Sequence, residues 1–110
     1  MNLIDFTELD KLYAGNKAFQ NEIVTSFIRR IPTYMDCLKV SLSRKDVDEL
    51  LVFSCQLRAT AKCCCANEVH QLCLLLEQQV SENKFMSANL TLRNMQKVLS
   101  RIHSEHRNHN

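Results

Sequence analysis

The chain has one glycine and one proline in 110 residues. Glycine supplies the left-handed backbone that tight hairpin turns need, and turn-rich β architectures use it repeatedly. A chain this poor in both residues is therefore expected to be helical. Helical periodicity is the next thing to test along its length.

The opening NLIDFTELDKLYAGN reads as a short helix. Asp5 or Thr7 can cap it, Leu9, Leu12 and Tyr13 share a face, and Gly15 with Asn16 stops it. In KAFQNEIVTSFIRRIPTYMDCLKVSLSR, Phe19, Ile23, Phe27, Ile31, Met35, Leu38 and Leu42 recur at helical spacing. The stripe stays in phase across Pro32, so one long helix is expected, kinked about a turn upstream of the proline.

The segment SRKDVDEL breaks that helix. Ser43 or Asp46 can accept free amide hydrogens, and Glu49 follows Asp46 at capping-box spacing. A third helix is expected from about 46 to 64. Asn67 is the expected cap of a fourth, whose stripe is Val69, Leu72, Cys73, Leu76 and Val80. A last helix begins near Met86 and carries Leu90, Leu92, Met95, Val98, Leu99 and Ile102. The tail HSEHRNHN is polar and is expected to fray from about residue 104. Short loops force antiparallel neighbours. The expectation is one all-α domain over residues 1–110, an up-down-up-down four-helix bundle preceded by a small helix.

The formal net charge of +2 is too small to argue for nucleic acid. No apolar run is long enough to cross a bilayer, and no signal peptide opens the chain. Met1 favours a free-standing protein. The six cysteines stand at 37, 55, 63, 64, 65 and 73. Five lie in two adjacent helices, where pairing is awkward, so free thiols in the cytosol are expected.

The third helix carries the chemistry. At 100° per residue from Leu57, the residues Leu50, Phe53, Ser54, Ala61 and Cys64 fall within about 60°. Asp48, Val52, Cys55, Ala59 and Lys62 fall within about 40° of the opposite direction. Cys55 is therefore expected to face solvent in mid-helix. Arg58 and Lys62 can both reach the space above it, which suits an anion.

These residues resemble a histidine-containing phosphotransfer (HPt) domain, the four-helix bundle that relays phosphoryl groups in multistep two-component signalling. The family motif is Ala-His-x-Leu-Lys-Gly-Ser, followed five residues later by Gly-Ala. Here the sequence reads Ser54-Cys55-Gln56-Leu57-Arg58-Ala59-Thr60, then Cys65-Ala66. The stretch KAFQNEIVTSFIRRIPTYMDCL is similar to the family's second helix, and VHQLCLLLE to the helix after Gly-Ala. The resemblance spans residues from about 5 to 104.

The departures define the expectation. The phosphoacceptor histidine corresponds to Cys55, and the two glycines to Ala59 and Cys65. A thiol mostly protonated at neutral pH, with no base beside it, does not replace an imidazole as phosphoryl carrier. The methyl of Ala59 narrows a partner's approach without blocking it. The resemblance thus implies a non-enzymatic module without cofactor. It would dock a response-regulator receiver domain or a histidine kinase through Val52, Cys55, Gln56, Arg58, Ala59 and Lys62. Basic clusters in SRK and FIRRI would form a rim for an acidic receiver.

Three alternatives stand beside this one. The chain is a working transfer domain of a hybrid kinase with its histidine substituted or its role moved. Or Cys55 is a redox switch. Or Cys63, Cys64, Cys65, His70 and Cys73 hold zinc, against which consecutive helical cysteines point about 100° apart. His70, His103, His106 and His109 are otherwise expected to be surface residues without a role, His70 well along the bundle axis from Cys55.

Overall fold

The computed structural model describes residues 3–108, with side chains to residue 106. Five helices account for most of it: α1 (Phe6–Leu12), α2 (Lys17–Ser43), α3 (Val47–Cys63), α4 (Asn67–Ser81) and α5 (Phe85–Asn108). No strand occurs among the described residues. No described helix is long and apolar enough to cross a membrane.

The helix starts are set by local chemistry. Asp5, not Thr7, caps α1 by accepting the Glu8 amide at 3.0 Å. Asn16 does the same for α2 with Phe19 at 3.1 Å, and Asp46 for α3 with Glu49 at 3.0 Å. Each bond satisfies a donor that the first helical turn leaves free. The fourth start differs from expectation. Ala66 is the N-cap of α4 and offers no side-chain bond. Asn67 is already helical, and its Nδ2 donates to Glu8 Oε2 at 3.2 Å. The α1 segment has recruited the side chain expected to cap α4.

The stops share one device. After α2, α3 and α4 the chain turns through one residue with positive φ: Lys45 (54°), Cys65 (56°) and Asn83 (60°). At each, that residue's amide and the next one's reach back to the helix, as in Lys45 N to Leu42 O and Asp46 N to Ser41 O, both 3.0 Å. This Schellman pairing satisfies the last carbonyls and reverses the chain in three residues. It normally uses glycine; here three other residues occupy left-handed backbone.

The helices pack α2 on α3, α3 on α4, α4 on α5, and α5 back on α2, while α1 lies against α2. Phe27, Leu38, Leu50, Leu57, Leu76, Met95 and Leu99 are fully buried at the centre. Burying side chains of this size is worth about 1.5–3 kcal/mol each, which makes the α2 to α5 core the main stabilising mass. α2 runs unbroken through Pro32, whose exposed position keeps its ring out of the core.

Some expected core residues are not there. Leu12, Phe19 and Leu90 are exposed, while Gln20, Ser41 and Thr91 are buried. In α2 and α5 the burial band is rotated slightly from the stripe of largest residues. In α3 and α4 the expected stripes are buried, with Phe53 and Leu72 half-buried at their edges. The tail differs too: α5 continues to Asn108 rather than fraying from 104.

Candidate functional site

On α3, Leu50, Ser54, Leu57 and Ala61 are buried, and Asp48, Val52, Cys55, Gln56, Ala59 and Lys62 are exposed. The two faces fall where 100° per residue puts them. Cys55 is a free thiol at the middle of the outward stripe. Small or flexible side chains surround it, and Val52 is the apolar member, 53% exposed.

Arg58 does not fit the expected pair of cations over the thiol. Its Nη2 does come within 3.6 Å of Cys55 Sγ. Its guanidinium, however, grips Glu77 of α4 with two hydrogen bonds, Nε to Oε2 at 2.9 Å and Nη2 to Oε1 at 3.2 Å. Both side chains are mostly shielded, at 30% and 19% exposure. The hydrogen bond and charge of Glu77 hold the guanidinium pKa above its ordinary value. A carboxylate this close cancels most of the field an anion at Cys55 would feel. Lys62 remains the uncompensated cation of the stripe among the described residues.

Glu77 also lies 3.0 Å from the buried Ser54 hydroxyl, which in turn is 3.3 Å from the Cys73 carbonyl. On the other flank, Thr60 Oγ1 donates to the Gln56 carbonyl at 3.0 Å and sits 3.4 Å from Tyr34 OH of α2. So α3 is held by polar contacts to both neighbours just beneath its exposed stripe. Sequence reasoning missed Glu77 and Tyr34 as members of the site. The signal for Glu77 was present, since it closes the VHQLCLLLE stretch four residues after Cys73.

The other cysteines divide by burial. Cys64, Cys65 and Cys73 are buried, Cys37 is intermediate, and Cys63 is exposed. Burial pushes the Cys64 and Cys73 thiols up to about 12 and the Cys65 thiol up to about 11. These three are protonated fillers at neutral pH. Cys65 is more than a filler. It occupies the left-handed turn, and its carbonyl accepts the Asp5 amide at 3.0 Å. Tyr13 OH donates to the neighbouring Cys63 carbonyl at 2.9 Å. The α1 segment is thereby pinned over the triple-cysteine turn.

Among the described residues no group of three His, Cys, Asp or Glu is placed to hold a metal ion. His70 is half-buried in α4 and His103 is exposed on α5. His106 lines a cavity of about 490 Å³ with Ile4, Phe6, Gln20, Ile28 and Ile102, and none of the expected docking residues contributes to it. His109 lies outside the described residues. Comparison with protein-family models, with curated proteins and with solved structures finds no match to this chain.

Proposed function

We propose that this chain is an HPt-like module that has lost its phosphoacceptor and acts by occupying a receiver domain or histidine kinase of a two-component relay. The observation that carries the reading is the exposure of Cys55 at the centre of an outward stripe, where the resemblance has its histidine. The three-residue connections and the closed ring of helix neighbours support an up-down-up-down bundle around it. Left-handed backbone at Cys65 supports it too, because the resemblance has glycine there.

The mechanism is docking without chemistry. Val52, Cys55, Gln56, Ala59 and Lys62 present a surface of small, apolar and singly charged groups to the partner's acidic active-site face. Among the described residues the hydrogen bond to the thiol comes from Arg58, which is itself committed to Glu77, so phosphoryl charge gains little assistance at this position. Arg58 would shape the stripe by holding α3 to α4 rather than by touching phosphate. The substituted relay and the cysteine switch both need an activated group at residue 55, and the Arg58–Glu77 pair weighs against each.

The test has two arms. The chain on beads should retain a receiver domain or histidine kinase from its native cell, identified by mass spectrometry, and Ala59→Arg should abolish retention. Mixed with that receiver carrying an aspartyl phosphate, the chain should gain no acid-labile, base-stable phosphate. Cys55→His should gain it: the unprotonated imidazole nitrogen attacks phosphorus, the P–O bond to the receiver's aspartyl group breaks, the carboxylate leaves, and the proton on the other ring nitrogen goes to solvent. Labelling of the unaltered chain, or retention of neither partner class, would end the proposal.

A further inference from the structure

Charge is unevenly distributed along the chain. From residue 83 onward there are five Lys or Arg and one Glu, whereas residues 1–82 carry nine Lys or Arg and eleven Asp or Glu. The whole positive balance therefore belongs to the α5 end. Between Phe85 and Ser104 there is no carboxylate at all.

The cations of α5 are ordered. Arg93, Lys97 and Arg101 repeat every four residues, about 6 Å apart along the helix. Taking buried Met95 as the inward direction, they fall within about 60° of the outward one, together with Met86 and Leu90. All three cations are exposed, and none joins an ion pair among the described residues. With Gln96 and Ser100 they line a shallow surface groove. Met86 and Leu90 are 85% and 62% exposed, the highest values among the exposed large hydrophobic residues described. They stand at the head of the cationic row.

We propose that the outward face of α5 is an adsorption surface for anionic phospholipid, with Arg93, Lys97 and Arg101 at the phosphates and Met86 and Leu90 at the edge of the acyl region. A bilayer interface offers negative charge and apolar depth along one plane, and this straight row of side chains presents both complements. Nucleic acid would satisfy the cations and leave Met86 and Leu90 in water. A second copy of the chain would bring like charges together. The surface is separate from the Cys55 stripe, because α5 makes no contact with α3. The proposal goes beyond the docking reading and does not depend on it. It concerns adsorption, not spanning.

Co-sedimentation with extruded vesicles tests it. Binding to phosphatidylcholine mixed with phosphatidylglycerol should exceed binding to phosphatidylcholine alone by roughly tenfold or more, and should fall as salt is raised. Arg93→Glu/Lys97→Glu/Arg101→Glu should abolish it, and Leu90→Ser should weaken it several-fold, with helix content by circular dichroism unchanged. The control Lys11→Glu/Lys39→Glu/Arg44→Glu makes the same change in charge at other exposed sites and should retain most of the binding. Equal loss in that control would overturn the proposal, as would absence of preference for the anionic vesicles. Capture by polyglutamate but not by anionic vesicles would overturn it in favour of an acidic protein partner.

Discussion

Arg58 stands one turn beyond Cys55, and a helical wheel can say only that it reaches toward the thiol. Glu77, 19 residues away on another helix, takes its Nε and Nη2 donors in a bidentate pair. A charge-assisted pair of this geometry holds the guanidinium more firmly than its single 3.6 Å contact to sulfur can. The exposed cysteine is thus less an anion trap than its local sequence implies. The cysteines as a set give a direct check at this scale. With a maleimide at neutral pH, Cys55 and Cys63 should be modified first and Cys37 more slowly. Cys64, Cys65 and Cys73 should be protected until the protein opens, because they are buried and hold their protons. Mass spectrometry of partial digests reads the order. Early labelling of Cys73 would contradict its buried place in α4, facing Ser54 of α3.

The elements show where local rules suffice and where they stop. The caps at Asp5, Asn16 and Asp46 each use a side chain three positions before the amide it satisfies; that spacing revealed Asp5 and Asp46, whereas Asn16 was expected only to stop α1. Asn67 has the same credentials and fails, because Glu8 approaches from a segment 59 residues earlier. The three Schellman turns also resist reading from sequence, since none holds the glycine that marks such turns. Cys65 is the sharpest test of that geometry. At φ 56°, Cys65→Gly should lie within about 1 kcal/mol of the parent, the relief of backbone strain offsetting a small loss of packing. Cys65→Val should cost about 2 kcal/mol or more, because a β-branched side chain is a poor fit to left-handed backbone. Urea denaturation compares them. Equal stability of the valine and glycine variants would remove the left-handed turn.

At the scale of the whole molecule, three buried thiols make folding sensitive to alkali. Unfolded thiols ionise near their ordinary value of 9.0, whereas the folded ones hold their protons up to about 11 or 12. Above pH 9 the unfolded state therefore binds fewer protons than the folded state, and stability falls as pH rises. The stabilisation is complete below about pH 9 and is lost as pH climbs toward the folded values. With up to three protons involved, the slope reaches about 4 kcal/mol per pH unit. Urea midpoints from pH 8 to 10.5 should stay level at first and then drop steeply. Cys64→Ala/Cys73→Ala should flatten the drop, and an unchanged slope in that variant would remove the thiols as its cause.

What the chain's own order of residues determined is everything carried by short-range regularity. That covers the five helices to within a few residues, the continuity of α2 through Pro32, and the wet and dry faces of α3, because backbone period and capping act over a few positions. What only the tertiary structure decided is everything that depends on neighbours in space. Arg58 turned to Glu77, α1 closed over the cysteine turn, and Leu90 stayed in water while Gln20 and Thr91 went inside. The physical reason is that burial and ion pairing are set by how four helices rotate against one another. That rotation minimises the free energy of the whole core and is written in no single helix.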